Sequence, residues 1–313
     1  MNLQQLRYVR ETIRAGLSLT TAAERLHTSQ PGISRQIRQL EAELGVDLFV
    51  RHGKRVTDLT EPGRLLVPIV ERVLEEIENL RRAAAEFHDQ DSGALSVAAT
   101  HTQARYALPA VVAAFKRRYP RVHLTLLQGT PPQIAEMTLA GTADVGIATE
   151  ALANYPRLLA LPGYTWQHAV IVPAGHPLLD EPRLTLEALA RYPLITYDPA
   201  FAGRSHIDEA FAARNLAPDI VLAAIDSDVI KTYVEQGLGV GIIAAMAYDP
   251  RRDRDLRMLE AGHLFRTNTT RIAVLRGRRL RQFTYAFIEL FAPRLTRSVV
   301  EKAMAGATDD YEL

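Results

Sequence analysis

Thr100, His101, Thr102 and Gln103 stand together where one local pattern gives way to another. Residues 94–99 before them are short and apolar and read as a strand, and residues 110–119 after them read as a helix. The turn offers hydroxyls and an amide and contains no Asp or Glu. A helix start adds backbone N–H groups without an intrahelical acceptor and the positive end of the helix dipole. Donors of this kind, with carboxylates left out, suit an anion. The same residues could also do no more than cap a helix, so the surrounding domain has to decide.

A second group has different chemistry. Gln30, Ser34, Arg35 and Arg38 fall on one side of a helical pattern whose other side carries Ile33, Ile37, Leu40 and Leu44. Arginine matches guanine and glutamine matches adenine in the major groove, and serine can bond a phosphate. Ser29 is placed to cap this helix, with Gln30, Pro31 and Gly32 in its first turn. A short helix over about residues 19–26 and the turn 27–29 precede it, which makes a helix-turn-helix. An earlier helix shows Leu3, Leu6, Val9 and Ile13 on one face and ends at Gly16. Residues 48–50 and 56–59 flank Arg51-His-Gly-Lys-Arg55 and read as a two-stranded wing with a basic tip around Gly53. Residues 1–60 hold nine Lys/Arg against six Asp/Glu, a net of +3, while the whole chain stands at +1. Turn, cap, stripe and basic wing together predict binding to double-stranded DNA.

Other elements must position these groups. Thr60 opens a long helix in which Leu66, Val70, Val73, Ile77, Leu80 and Ala84 recur as a heptad seam, predicting pairing with a second copy of the chain. Residues 89–93 read as a polar hinge. Beyond it strands and helices alternate, as in α/β units with mostly parallel sheets. The expectation is a winged helix-turn-helix at 1–59, a dimerisation helix at 60–90 and a two-lobed α/β domain at 91–313. Lobe one takes 91–161 and 268–300, lobe two takes 162–267, and crossings lie near 160–163 and 267–270. Ligands of such sheets lie beyond the C-terminal strand ends, where Thr100, Thr102, Thr149 and the loop 198–204 fall. In that context the turn at 100–103 is read as an anion site.

The segment TTAAERLHTSQPGISRQIRQLEAELGVDLFVR resembles the signature of LysR-type transcriptional regulators. The resemblance implies that Gln30, Pro31, Ser34 and Arg35 enter the major groove. It also implies that a wing residue among Arg51, Lys54 and Arg55 reaches the minor groove, and that the second domain has a periplasmic-binding-protein-like fold. THTQARYALP, GTADVGIATEAL, YTWQHAVIV, FAGRSHIDEAF and SDVIKTYVEQGLGVGIIAAMAYDP are similar to the cysteine-regulon branch of that family and its sulfonate-responsive relatives, over nearly the whole chain. That likeness implies control of sulfur assimilation and cysteine biosynthesis genes by a tetramer. Its inducer would be an acylated serine, N-acetylserine, opposed by thiosulfate or sulfide, with sulfate as a further anion. The effector positions carry over as Thr100, Thr102, Gln103 and Thr149. A further threonine of the branch is Ala202 here, so a hydroxyl is missing while the backbone N–H is kept. Trp166, the single tryptophan, could wall the cleft, although a lone tryptophan is more often core.

Other functions fit less well. The chain has no cysteine, which excludes thiolate metal sites, cysteine nucleophiles and thiol redox sensing. His101, His168 and His176 have no carboxylate at a recognisable spacing, and there is no Gly-rich nucleotide loop, so no enzyme, cofactor or metal is expected. The first residues lack the pattern of a secretory leader and no stretch is long enough for a membrane span. Together with the DNA module this counts against a solute-binding protein, and a cytoplasmic location is expected. The realistic alternative is a LysR-type regulator of another pathway, such as sulfonate use, that senses a different small acid.

Overall fold

The structure, a computed structural model, describes residues 1–53, 55–88, 90–201 and 203–306. The chain divides into two compact units, Met1–His88 and Asp89–Leu313. In the first, α1 (Leu3–Arg14), α2 (Leu19–Arg25) and α3 (Gln30–Leu44) are capped by Asn2, Ser18 and Ser29. Ser29 Oγ accepts the Gly32 N–H at 3.2 Å, and Gly45, in the left-handed region at φ 71°, ends α3. Leu6, Val9, Ala22, Ala23, Ile33, Ile37 and Leu40 close one core with Leu48, Phe49 and Val56. Leu3 and Leu44, read as members of the apolar faces, are exposed at the helix ends.

The wing pairs β1 (Phe49–His52) with β2 (Arg55–Leu59), antiparallel, around Gly53 at φ 64°. Arg51 corrects one expectation. It lies within β1 rather than at the tip, and its guanidinium donates to both Glu41 carboxylate oxygens, at 3.2 and 2.6 Å. Glu41 on α3 is buried and also accepts the backbone N–H groups of Leu48 and Phe49, at 2.8 and 3.2 Å. This charge is satisfied on every side, and it ties the wing to the end of α3.

Thr60 caps α4 (Glu61–His88), its Oγ1 accepting the Gly63 N–H at 2.9 Å. The single heptad seam is corrected to two faces. Val70 is buried and Leu66 and Ile77 are half-buried; with Val67 and Leu74 they join the core of their own unit. Val73 and Leu80 point elsewhere and are exposed, as are Leu65 and Ile69. The helix therefore packs with the first unit through one face and leaves the other exposed.

In the second unit β3 (Ser92–Ala99), α5 (Leu108–Arg118), β4 (Arg121–Gln128), α6 (Pro131–Leu139), β5 (Val145–Ala148) and β6 (Leu158–Trp166) follow in order. The chain then enters lobe two through β7 (His168–Pro173), α7 (Leu186–Leu189), β8 (Leu194–Tyr197), α8 (Arg204–Ala212) and β9 (Ile220–Ala224). Lobe two ends with α9 (Ser227–Glu235), β10 (Val240–Ala244) and β11 (Leu256–Glu260). It returns through β12 (Asn268–Leu275), α10 (Gln282–Phe291) and α11 (Arg297–Met304). Lobe one has sheet order β4-β3-β5-β12-β6 and lobe two β11-β7-β10-β8-β9. Strands β3, β4 and β5 run parallel, as do β8, β9 and β10, while β6, β7, β11 and β12 pair antiparallel.

The first crossing is Gln167, not residues 160–163. Pro162 and Gly163 look like a break but lie inside β6, which is an edge strand and tolerates proline. The register shifts opposite them, and a Cβ on Gly163 would come within 2.9 Å of the Phe291 ring. The second crossing runs over residues 261–267. Among the described residues no helix is long and apolar enough to cross a membrane.

Glu41→Ala leaves Arg51 and two backbone donors without their acceptor, and losses of about 2–4 kcal/mol are expected. Denaturant unfolding of the full chain should show the transition of the DNA-binding unit moving to lower denaturant. Specific DNA binding should weaken with it, and the transition of residues 89–313 should stay in place. A DNA-binding unit as stable as the parent's would assign Glu41 no such role.

Candidate functional site

On the first unit Pro31, Arg35 and Arg38 are exposed and Gln30 and Ser34 half-buried, opposite the buried Ile33, Ile37 and Leu40. Arg35, Arg38 and Arg55 have no ion pair among the described residues. Between the start of α2, Gln30 and the wing residues His52, Arg55 and Thr57 opens a cleft of about 660 Å³. Its walls are the N-terminus of the polar-faced helix and the basic wing. Lys54 lies outside the described residues.

On the second unit the parallel strands of both lobes end at one place. Thr100 follows β3, Thr149 follows β5, Tyr197 closes β8 and Ile225 follows β9. With Thr102, Gln103, Trp166 and Phe201 these residues line a cavity of about 20 Å³. That is room for a water or a compact anion, since one water takes roughly 10–15 Å³. None of the lining side chains carries a formal charge. Thr100 and Thr149 are 8% and 5% exposed, and their hydroxyls have no protein hydrogen-bond partner among the described residues. The Thr100 carbonyl accepts the Ala104 N–H at 2.9 Å, which starts the helical turn there. The N–H groups of His101, Thr102 and Gln103 then occupy the positions that lack an intrahelical acceptor. Thr102 lines the same cavity as Tyr197, whose phenol bonds Ser227 Oγ and accepts the Ala244 N–H.

Gln103 has a structural role besides its expected one. It lines the cavity, but its amide N–H donates to Thr270 Oγ1 at 3.1 Å and its Oε1 accepts from the Tyr164 hydroxyl. Its side chain braces the turn against β12 and β6 with one N–H and its carbonyl oxygen, which leaves the second amide N–H. Ala202 lies outside the described residues; its neighbour Gly203 starts α8 at φ 90°, where a Cβ would come within 2.7 Å of His168 Nε2. Tyr197 and Ile225 were not singled out in the sequence, while Phe201 belongs to the loop 198–204 that was. Their signal is their place just at or beyond the ends of β8 and β9, the rule that found Thr100 and Thr149.

The lobe crossings frame the cavity. Trp166 lines it and stacks edge-on against His168, with ring centroids 5.1 Å apart. His168 is buried, and its Nδ1 lies 3.3 Å from Asn268 Nδ2 on β12. Burial, helped by His206, pushes the His168 pKa down to about 3. His168 is therefore neutral, with Nδ1 accepting from Asn268 and Nε2 carrying the proton.

Residues 3–64 match the model of the bacterial regulatory helix-turn-helix protein, lysR family, and residues 88–296 match that of the LysR substrate binding domain. The chain is 56% identical over 313 residues to the HTH-type transcriptional regulator CysB of Burkholderia cenocepacia, covering 100% of both chains. It is 56% identical over 300 residues to the HTH-type transcriptional regulator SsuR of the same organism, covering 96% of this chain and 97% of that one. The crystal structure of the cofactor-binding domain of the Cbl transcriptional regulator superposes with a TM-score of 0.68 at 45% identity, covering 70% of this chain and 96% of that one.

His168 gives the second unit a pH dependence of known sign. An unfolded histidine takes a proton near pH 6.5, whereas His168 in the fold stays neutral down to about pH 3. The unfolded state thus binds more protons throughout that window, and stability falls as pH drops from about 6.5 toward 3. At pH 5 the loss is about 2 kcal/mol relative to pH 7. Thermal unfolding of residues 89–313 within the full chain should show a lower midpoint at pH 5. His168→Gln, which keeps an acceptor for Asn268, should flatten that drop; an identical drop in the variant would exclude His168 as its source.

Proposed function

This chain belongs to the LysR family of helix-turn-helix transcriptional regulators, and from that premise we propose that it controls genes of sulfur assimilation and cysteine biosynthesis. It does so in the cytoplasm, in response to a compact anionic effector held between the lobes of residues 89–313. N-acetylserine, sulfate and thiosulfate are the effectors to test. The observation that carries the effector site is that Thr100 and Thr149 line the cavity with hydroxyls that have no protein partner among the described residues. Anion oxygens are the acceptors these hydroxyls and the N–H groups of residues 101–103 lack. The Gly203 backbone at the start of α8 would face the anion from lobe two. The sulfur assignment is supported by the motif resemblance and by the 56% identity to CysB. A second reading, a regulator of sulfonate use that senses a different small acid, is favoured by Ala202 in place of the branch threonine and by the equal identity to SsuR.

On the DNA side Gln30, Pro31, Ser34, Arg35 and Arg38 are proposed to read the major groove, with Lys54 and Arg55 at the wing. Arg51 has a weaker claim, because Glu41 holds its guanidinium. Two exposed apolar faces support self-association. One is Leu65, Ile69, Val73 and Leu80 on α4; the other is Val221 on edge strand β9 with Val229 and Tyr233 on α9. Covering the first makes a dimer suited to paired half-sites, and covering both makes a tetramer.

The functions should separate by mutation. Thr102→Asp places a carboxylate at the anion site and should abolish calorimetric binding of sulfate and N-acetylserine while operator affinity without effector persists. Arg35→Ala should do the reverse, costing roughly 1–3 kcal/mol of operator affinity if it reads a base and sparing effector binding. Parental effector affinity in Thr102→Asp would place the pocket elsewhere.

Val73→Asp combined with Leu80→Asp adds charge to residues that are already exposed, so each chain should stay folded. Buried in an apolar interface those carboxylates are costly. Analytical ultracentrifugation should then show a smaller species. An unchanged sedimentation coefficient would mean that this face of α4 meets solvent in the assembly.

A further inference from the structure

The turn that carries Thr100, Thr102 and Gln103 continues as a π-helix, Gln103–Ala107. A π-turn rotates the side chains that follow it, and such turns are frequent at functional sites. Here it sends Arg105 and Tyr106 across the cleft onto lobe two. The Tyr106 hydroxyl donates to Asp228 Oδ1 at 2.7 Å, and Arg105 Nε donates to Asp228 Oδ2 at 3.3 Å. The Tyr106 ring packs against the lobe-two cluster of Ile171, Ile195, Tyr197 and Ile230. Lys231 completes the cluster: its Nζ lies 5.4 Å from the ring centroid and 3.2 Å from both Asp228 and Asp253, and it donates to the Ala247 carbonyl at 3.0 Å.

The acceptor is well placed. Asp228 is in the first turn of α9, behind the Asp226 cap, where the helix dipole favours a negative charge. Hydrogen bonds from Tyr106 and Lys231 outweigh its partial burial and lower its pKa. Burial pushes the Tyr106 pKa up to about 12, so the phenol stays a donor. A phenol donating to a carboxylate is a charge-assisted bond, stronger than one between neutral groups.

We infer that Tyr106 and Asp228 are positioning residues of the effector cavity: a clasp from lobe one to lobe two that holds the closed arrangement in which Thr100, Thr102, Thr149 and Tyr197 face one another. The inference rests on reading that cavity as the effector site. The clasp touches no effector. It acts because it shares one turn with Thr102 and Gln103, so opening it moves that turn away from Tyr197. A ligand bridging both lobes binds the closed form, and its apparent affinity falls with the fraction of chains that are closed.

The test uses the full-length protein. Tyr106→Phe keeps the ring in the lobe-two cluster and removes only the hydroxyl; Asp228→Asn keeps the shape of the acceptor and removes its charge. Sulfate and N-acetylserine are titrated by calorimetry into the parent, each variant and the double variant. Each single variant should bind roughly 3- to 30-fold more weakly. The double variant should be little weaker than Asp228→Asn alone, because that variant already weakens the acceptor of the Tyr106 hydroxyl along with the partner of Arg105 and Lys231. Hydrogen exchange supplies a readout that a purely local role would not move. Peptides over residues 100–110 and 225–235 should exchange faster together in either variant, and saturating sulfate should slow both again. Parental affinity in both variants overturns the clasp while leaving the effector site intact. A parent that binds neither probe overturns the site, and the clasp with it.

Discussion

The parallel strands of both lobes of the second unit end at one cavity, and there Thr100 and Thr149, at the ends of neighbouring strands, line it with hydroxyls that have no protein partner among the described residues. The rest of that unit is arranged around them. β3 and β5 are parallel neighbours, so their C-terminal ends present both threonines side by side. The sheet of lobe two brings β8 and β9 to the same place from the other side. The turn after β3 adds first-turn N–H groups, and Gln103 is bonded to Thr270 and Tyr164 so that this turn stays where it is. All these donors are neutral. An anion held only by neutral dipoles is bound without the strong Coulomb term a guanidinium would bring, which suits a sensor that must release its effector when the concentration falls.

Because the chain passes between the lobes only at Gln167 and at residues 261–267, the width of the cavity is set by contacts across it. Arg105 and Tyr106 to Asp228 is such a contact. The hinge side is apolar and neutral: Trp166 and Phe265 enclose His168, which burial keeps uncharged. A neutral hinge histidine adds no cation to compete with the threonines for an anion. It also leaves the closure energy near pH 7 independent of its titration.

Local patterns made much of this legible. The capped helix with Ile33, Ile37 and Leu40 on one side could be read because period and cap lie within a dozen residues, and Thr100 and Thr149 because the end of a parallel strand is a sequence feature. What stayed hidden depends on long-range pairing or on the choice of partner. Tyr106 meets Asp228 across 122 positions of sequence, and only once two sheets face each other. Arg51 looked like a wing cation because nothing local shows that Glu41, on another element, is buried beneath it. Pro162 and Gly163 looked like a break because sequence does not reveal that β6 is an edge strand. The α4 seam was read as one face because a heptad pattern records that residues are apolar, not whether their own unit or another chain covers them.

That split bears on how a signal could travel. The side chains proposed to read DNA lie within residues 1–88 and the proposed effector cavity within residues 89–313. An effector can alter DNA binding only by having different affinities for two arrangements of the whole assembly. The exposed faces of α4 and of β9 with α9 are where such arrangements can differ. Val229 and Tyr233 lie on α9, the helix whose first turn carries Asp228. A shift of the clasp therefore moves a helix that also presents an apolar face to a second copy. Closure of the cleft and the fit between copies would then be one equilibrium, biased at one end by the anion and at the other by the spacing of the DNA half-sites.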